Sequence, residues 1–187
     1  MNNHRKSALR TSSGRLPYSG EFYLLVELGP LNVEIVGRIG SGLRPEESWE
    51  SCLAIRKALN LAKGDSPLSA TRSVWDCLLA IPRHDFGPKL GEDLSIMVVA
   101  RSGEKGVLSA VGLNSIWSIT GADDCTLLAG SDQPDVNKLG VPRMAPKALE
   151  FEKPGSVFFG SISSTEVPSG LEIARLLPVK KGVIVDE

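Results

Sequence analysis

GEFYLLVELGPLNVEIVGRIGSGLRPEESWESCLAIRKALNLA, residues 20–62, holds two short apolar runs followed by one longer amphipathic run. Phe22-Tyr23-Leu24-Leu25-Val26 and Val33-Glu34-Ile35-Val36 are rich in aromatic and branched side chains, and Gly29-Pro30-Leu31-Asn32 between them is a turn signal. That pattern predicts a β-hairpin. After Gly37, Gly40 and Gly42 the period changes. Arg44-Pro45-Glu46-Glu47 places a proline and two acids where a helix N-terminus favours them. Trp49, Cys52, Leu53, Ile55, Ala58, Leu59 and Ala62 then recur near a 3.6-residue spacing, which predicts a helix over Pro45–Ala62 with one broad inward face.

A second helix follows directly. Gly64-Asp65 stops the first, Ser66 and Pro67 serve as N-cap and first helical residue, and Leu68, Val74, Trp75, Leu78 and Leu79 face a core. Pro82 to Gly91 reads as a loop. Strands are then expected at Leu94–Ala100, Val107–Val111 and Ile116–Ile119, with a turn at Ser102-Gly103-Glu104-Lys105 and a break at Gly112. Further strands are expected at Leu127-Leu128, Ala148–Phe151 and Ser156–Gly160, and a last helix at Ser169–Leu177, where Ser169 and Glu172 have capping-box spacing. Strands and helices do not alternate, so a doubly wound parallel sheet is excluded and the fold class is α+β, with helices packed on antiparallel sheets.

The chain has 187 residues, the size of one domain. We expect a flexible N-terminal arm at residues 1–17, which carry no hydrophobic period, and a single domain over residues 18–187. With 21 Lys and Arg against 22 Asp and Glu there is no basic field for nucleic acid or a membrane surface, and 5% aromatic residues leave little for base stacking. No apolar run reaches the length of a membrane span and the N-terminus lacks a secretory apolar stretch, so a cytoplasmic location is expected. Cys52, Cys77 and Cys125 are odd in number and widely spaced, which predicts reduced, mostly buried thiols. His4 and His84 are the two histidines, too few for a His-rich zinc site or a Ser-His-Asp triad.

The segment Ser19-Gly20-Glu21-Phe22-Tyr23, then Val36-Gly37-Arg38-Ile39-Gly40-Ser41-Gly42, then Glu47-Ser48-Trp49-Glu50-Ser51 resembles the opening of the protein phosphatase 2C superfamily, in its small bacterial branch of SpoIIE- and RsbX-like phosphatases. The likeness continues through Val98–Arg101 and Ser109–Ile116, similar to that family's central hairpin, and Glu152–Ser161, similar to its Pro-Gly-Asp strand. It spans roughly residues 18–177. It implies an antiparallel β-sandwich flanked by helices, an αββα arrangement. It further implies hydrolysis of phosphoserine or phosphothreonine by water activated on two Mn²⁺ or Mg²⁺ ions held by aspartates.

The motifs that would hold those ions are degenerate here. The family's first Gly-Asp reads Gly20-Glu21, which leaves Glu21 as the one candidate metal ligand. Its Asp-Gly reads Gly37-Arg38, a ligand replaced and a cation introduced. The later Ser/Thr-Asp-Gly aligns with Ser161-Ile162-Ser163, with no acid before Glu166, and the terminal Asp-Asp-x-Thr strand is missing because the chain stops at Val185-Asp186-Glu187. Arg38, Gly40, Ser41, Gly42 and Arg44 instead form a candidate anion-binding set between strand and helix, since arginine clamps phosphate oxygens but does not ligate a metal.

Three functions are therefore expected in this order. The first is a pseudophosphatase or regulatory binding module in bacterial signalling, such as a stress response, with a protein partner that carries a phosphate or carboxylate and no cofactor. The second is a divergent Mn²⁺- or Mg²⁺-dependent phosphatase that recruits Glu21 and acids such as Asp93, Asp123, Asp124 or Asp132. The third is a structural subunit of a larger assembly, its N-terminal arm ordering on a neighbour.

Overall fold

A two-residue turn, Gly29-Pro30, joins the first two strands, β1 (Glu21–Leu28) and β2 (Leu31–Arg38). Gly29 sits at φ +64°, the left-handed conformation that tight hairpins require at their first turn position. The turn at Gly103 repeats this solution at φ +61° between β3 (Ser95–Ser102) and β4 (Lys105–Val111). The structure is a computed structural model that describes residues 21–38, 45–81, 95–113, 115–121, 124–129, 146–152, 157–161 and 182–185. The remaining elements are α1 (Pro45–Leu59), α2 (Pro67–Leu79), β5 (Ser115–Gly121), β6 (Asp124–Ala129), β7 (Leu149–Glu152), β8 (Val157–Ser161) and β9 (Gly182–Val185). The expected arm at residues 1–17 and helix at 169–177 lie outside the described residues.

The strands form two sheets, one in the order β1-β2-β3-β4-β7 and the other in the order β6-β5-β8-β9. Every pairing is antiparallel except β8 with β9, which is parallel. The α+β reading holds, with helices against antiparallel strands. The strand β9 corrects the sequence reading: a terminal strand does exist, with the sequence Gly-Val-Ile-Val and no acid in it.

Side-chain alternation sorts the five-stranded sheet into two faces. Val33 and Ile35 of β2 and Ile96, Val98 and Ala100 of β3 join Ile55 and Leu59 of α1 and Val74, Trp75 and Leu78 of α2 in one core. Val36 of β2, Met97 and Val99 of β3 and Leu108 and Ala110 of β4 pack instead with Ile116 of β5 and Phe158 of β8 in the core between the sheets. β3 is therefore apolar without alternation, because both its faces are covered. Trp75, 1% exposed, anchors α2 to the sheet and donates its indole N–H to Ser109 Oγ of β4. Burying a side chain of that size stabilises the fold by about 3 kcal/mol.

α2 starts as its sequence predicts. Ser66 Oγ accepts from the Ser69 amide at 3.3 Å while Ser69 Oγ accepts from the Ser66 amide at 3.1 Å, a reciprocal cap at two orphan donors. α1 ends earlier than its periodicity predicts. Asn60, Leu61 and Ala62 donate to the carbonyls of Lys57, Ala58 and Leu59, so the last turn tightens from i−4 to i−3 bonds. Cys77 and Cys125 are half-buried, where the sequence predicts mostly buried thiols. No helix among the described residues is long and apolar enough to cross a membrane.

Candidate functional site

Of the sequence-derived site residues, Glu21 and Arg38 lie in described strands, and register places their backbones at one end of the sandwich. Glu21 is the first residue of β1 and Arg38 the last of β2, and the antiparallel ladder places them directly opposite each other. The next strand continues the row, because Arg38 pairs with Ser95 at the start of β3. β4 ends at Val111 beside this row, and the short connection to Ser115 starts β5 at the same end. Ser115 pairs with Ser161, the last residue of β8, and Ser161 pairs with Val185, the last of β9. β9 in turn lies against β2, which closes the rim.

Two serines at this rim have described hydrogen bonds. Ser95 Oγ donates to the Gly112 carbonyl at 2.7 Å and Ser115 Oγ accepts from the Trp117 indole N–H at 3.2 Å. Both serines are buried. Two hard dications need several carboxylate oxygens around them. Glu21 and Arg38 are partners in backbone register at this rim, and among the described residues no three His, Cys, Asp or Glu side chains are grouped to hold a metal.

Asp124, one of the acids considered for recruitment, starts β6 opposite Gly121 at the far end of β5. At the strand rise of about 3.3 Å per residue, that is on the order of 20 Å from Ser115. Asp93, Asp123 and Asp132 lie outside the described residues, as do Gly40, Ser41, Gly42 and Arg44 of the anion-binding set, and Ile162, Ser163 and Glu166. The structure thus brings Glu21 and Arg38 together and takes Asp124 away.

Sequence reading passed over one buried acid. Glu34 of β2 is 2% exposed and points between the sheets, with its Oε1 4.0 Å from Nε of Arg101 on β3. The available signal was its inward position in an alternating strand, two residues from Val36. The Arg101 guanidinium also lies over the Phe151 and Phe158 rings, so the pair is part of the inter-sheet core.

No family model matches the sequence and no curated protein matches it. Solved structures do match the fold. The RsbU and RsbW domains of Rv1364c from Mycobacterium tuberculosis superpose with a TM-score of 0.53 at 15% identity, over 80% of this chain and 41% of that one. The SiaA-PP2C domain of Pseudomonas aeruginosa gives a TM-score of 0.51 at 13% identity, over 75% of this chain and 54% of that one. The chain therefore has the fold of a PP2C-type phosphatase domain, and it spans about half or less of the length of these two structures.

Proposed function

We propose that the chain is a non-hydrolysing PP2C-fold module that binds a protein partner in bacterial signalling. The observation that carries this reading is the opposition of Glu21 and Arg38 at the rim where the fold's relatives, by the resemblance above, hold their metals. An arginine at this strand end, where the resemblance expects a carboxylate, brings positive rather than negative charge and offers donors suited to phosphate or carboxylate oxygens. Arg38, Gly40, Ser41, Gly42 and Arg44 then form the anion-recognising edge, with a phosphoserine or acidic side chain of the partner as its ligand.

The test is a calorimetric titration of the full chain with Mn²⁺ and Mg²⁺, alongside phosphate release from a generic aryl phosphate in each metal. No stoichiometric metal binding and no turnover are expected. Mn²⁺-stimulated turnover that Glu21→Ala abolishes overturns the reading in favour of a divergent phosphatase.

A further inference from the structure

Glu34 is the one charged side chain among the buried described residues, and its neighbour between the sheets is Arg101. The Arg101 guanidinium lies 4.8 Å from the ring centroid of Phe158 on the opposite sheet and 5.3 Å from that of Phe151. Around them the interface is apolar, with Val36, Met97, Val99, Leu108 and Ala110 on one side against Ile116, Ala129 and Phe158 on the other. Apolar contacts reward burial without direction. A sheet that slid along its partner by two residues, about 6.6 Å, would keep the alternation of its faces and much of this burial. It would not keep the Arg101 contact. Such a slide carries the Phe158 centroid from 4.8 Å to well beyond the roughly 6 Å within which a cation gains from a ring. The residues two places to either side of Phe158 are Ser156 and Gly160, and neither has a ring to take over. Gly106 belongs to the same arrangement, because it pairs with Arg101 and with Phe151, and a Cβ there would overlap the Phe151 ring.

We propose that the Glu34–Arg101 pair, seated on Phe158, is a latch that fixes one slide of the two sheets past each other, and that it serves uniqueness of packing rather than stability. A buried pair of charges suits that role. In the right register its desolvation offsets much of its attraction, whereas in a wrong register the desolvation stays and the attraction is lost. The consequence reaches the rim, because β8 ends three residues beyond Phe158, at Ser161, and a slide moves that strand end by the same distance relative to β2 and β3. The latch stands or falls independently of what the rim binds.

The experiment compares the full chain with Glu34→Leu/Arg101→Met by two-dimensional amide NMR, hydrogen exchange and urea unfolding. Leu108→Ala is the control, since it removes apolar packing from the same interface. The double variant is expected to unfold cooperatively but to show doubled or exchange-broadened amide peaks in β3, β5 and β8, with hydrogen-exchange protection there falling about tenfold. Leu108→Ala is expected to lower the urea midpoint and keep one set of peaks. If the double variant does not fold, Phe158→Leu takes its place, removing the ring while keeping both charges, and the same doubling is expected. One sharp set of peaks with unchanged protection in the folded variant overturns the latch. Equal doubling in Leu108→Ala overturns it as well, because the slide would then depend on packing volume alone. Loss of folding in both the double variant and Phe158→Leu overturns it too, by showing that the cluster carries stability.

Discussion

The guanidinium of Arg101, on β3 of the five-stranded sheet, lies 4.8 Å from the ring centroid of Phe158, on β8 of the other sheet. It also lies 5.3 Å from the Phe151 ring, and the two rings meet edge to face at 4.7 Å. One cation thus links β3 and β7 of one sheet to β8 of the other. At 4.0 Å its contact with Glu34 is longer than a hydrogen bond, so that attraction is Coulombic and benefits from burial. Arg101→Ala removes the ring contacts and takes the guanidinium from the Glu34 carboxylate. It is expected to cost about 3 kcal/mol by urea denaturation. The paired replacement Glu34→Leu/Arg101→Met removes both charges at similar volume and is expected to lie closer to the starting stability. A double variant less stable than Arg101→Ala would contradict this account.

Trp75 and Ser109 tie the helical layer to the sheet at one polar point within an apolar core. Ser109→Ala leaves the indole N–H buried without that acceptor, and a loss of about 1–3 kcal/mol is expected. Tryptophan fluorescence during unfolding reads the midpoint. A second variant, Ser109→Thr, keeps the acceptor and should lose less unless its added methyl does not fit.

Gly106 lies between Arg101 of β3 and Phe151 of β7 in the ladder, and a Cβ at this position would overlap the Phe151 ring. Gly106→Ala must push that ring away from Arg101 or shift the edge strand, at a cost of about 1–3 kcal/mol. Pairing it with Phe151→Leu relieves the overlap with the ring, while the 2.8 Å approach to the Ala100 carbonyl stays. The double variant is expected to lose less than the sum of the two single losses, measured by the same denaturation assay.

Cys77 is half-buried at the end of α2. Burial first, and the neighbouring Asp76 charge second, push its thiol above the ordinary cysteine range. A thiol so placed is protonated at neutral pH and reacts slowly with an alkylating reagent. Its alkylation rate should therefore keep rising with pH beyond the point where a free cysteine peptide levels off. Asp76→Asn should move that point down by a fraction of the whole shift, since the larger cause remains. Rates followed by mass spectrometry across a pH series decide this, and an unchanged profile in Asp76→Asn removes the electrostatic part.

Local chemistry was readable along the chain. The Gly29-Pro30 turn, the Ser66-Pro67 helix start and the unbroken apolar run of β3 each depend on residues adjacent in sequence, and each appears where its residues predict. β9 escaped because a three-residue branched run after Gly182 has too little length to show a period, and its parallel partner β8 is distant in sequence. The end of α1 was overrun because apolar Leu61 and Ala62 continue the helical spacing while the backbone tightens beneath them. Leu61 is in fact 72% exposed.

The sequence by itself determined the α+β class and the identity of Gly37-Arg38 at the end of the second strand, because both are matters of residue identity and short-range spacing. Only the tertiary structure decided which residues become neighbours. Register set Glu21 against Arg38, sheet packing set Arg101 against Phe158, and the course of β5 carried Asp124 to the opposite end. The physical reason is that strand pairing fixes neighbours by a two-residue alternation over long chain separations. A shift of one position reverses every face, so no local pattern carries the outcome.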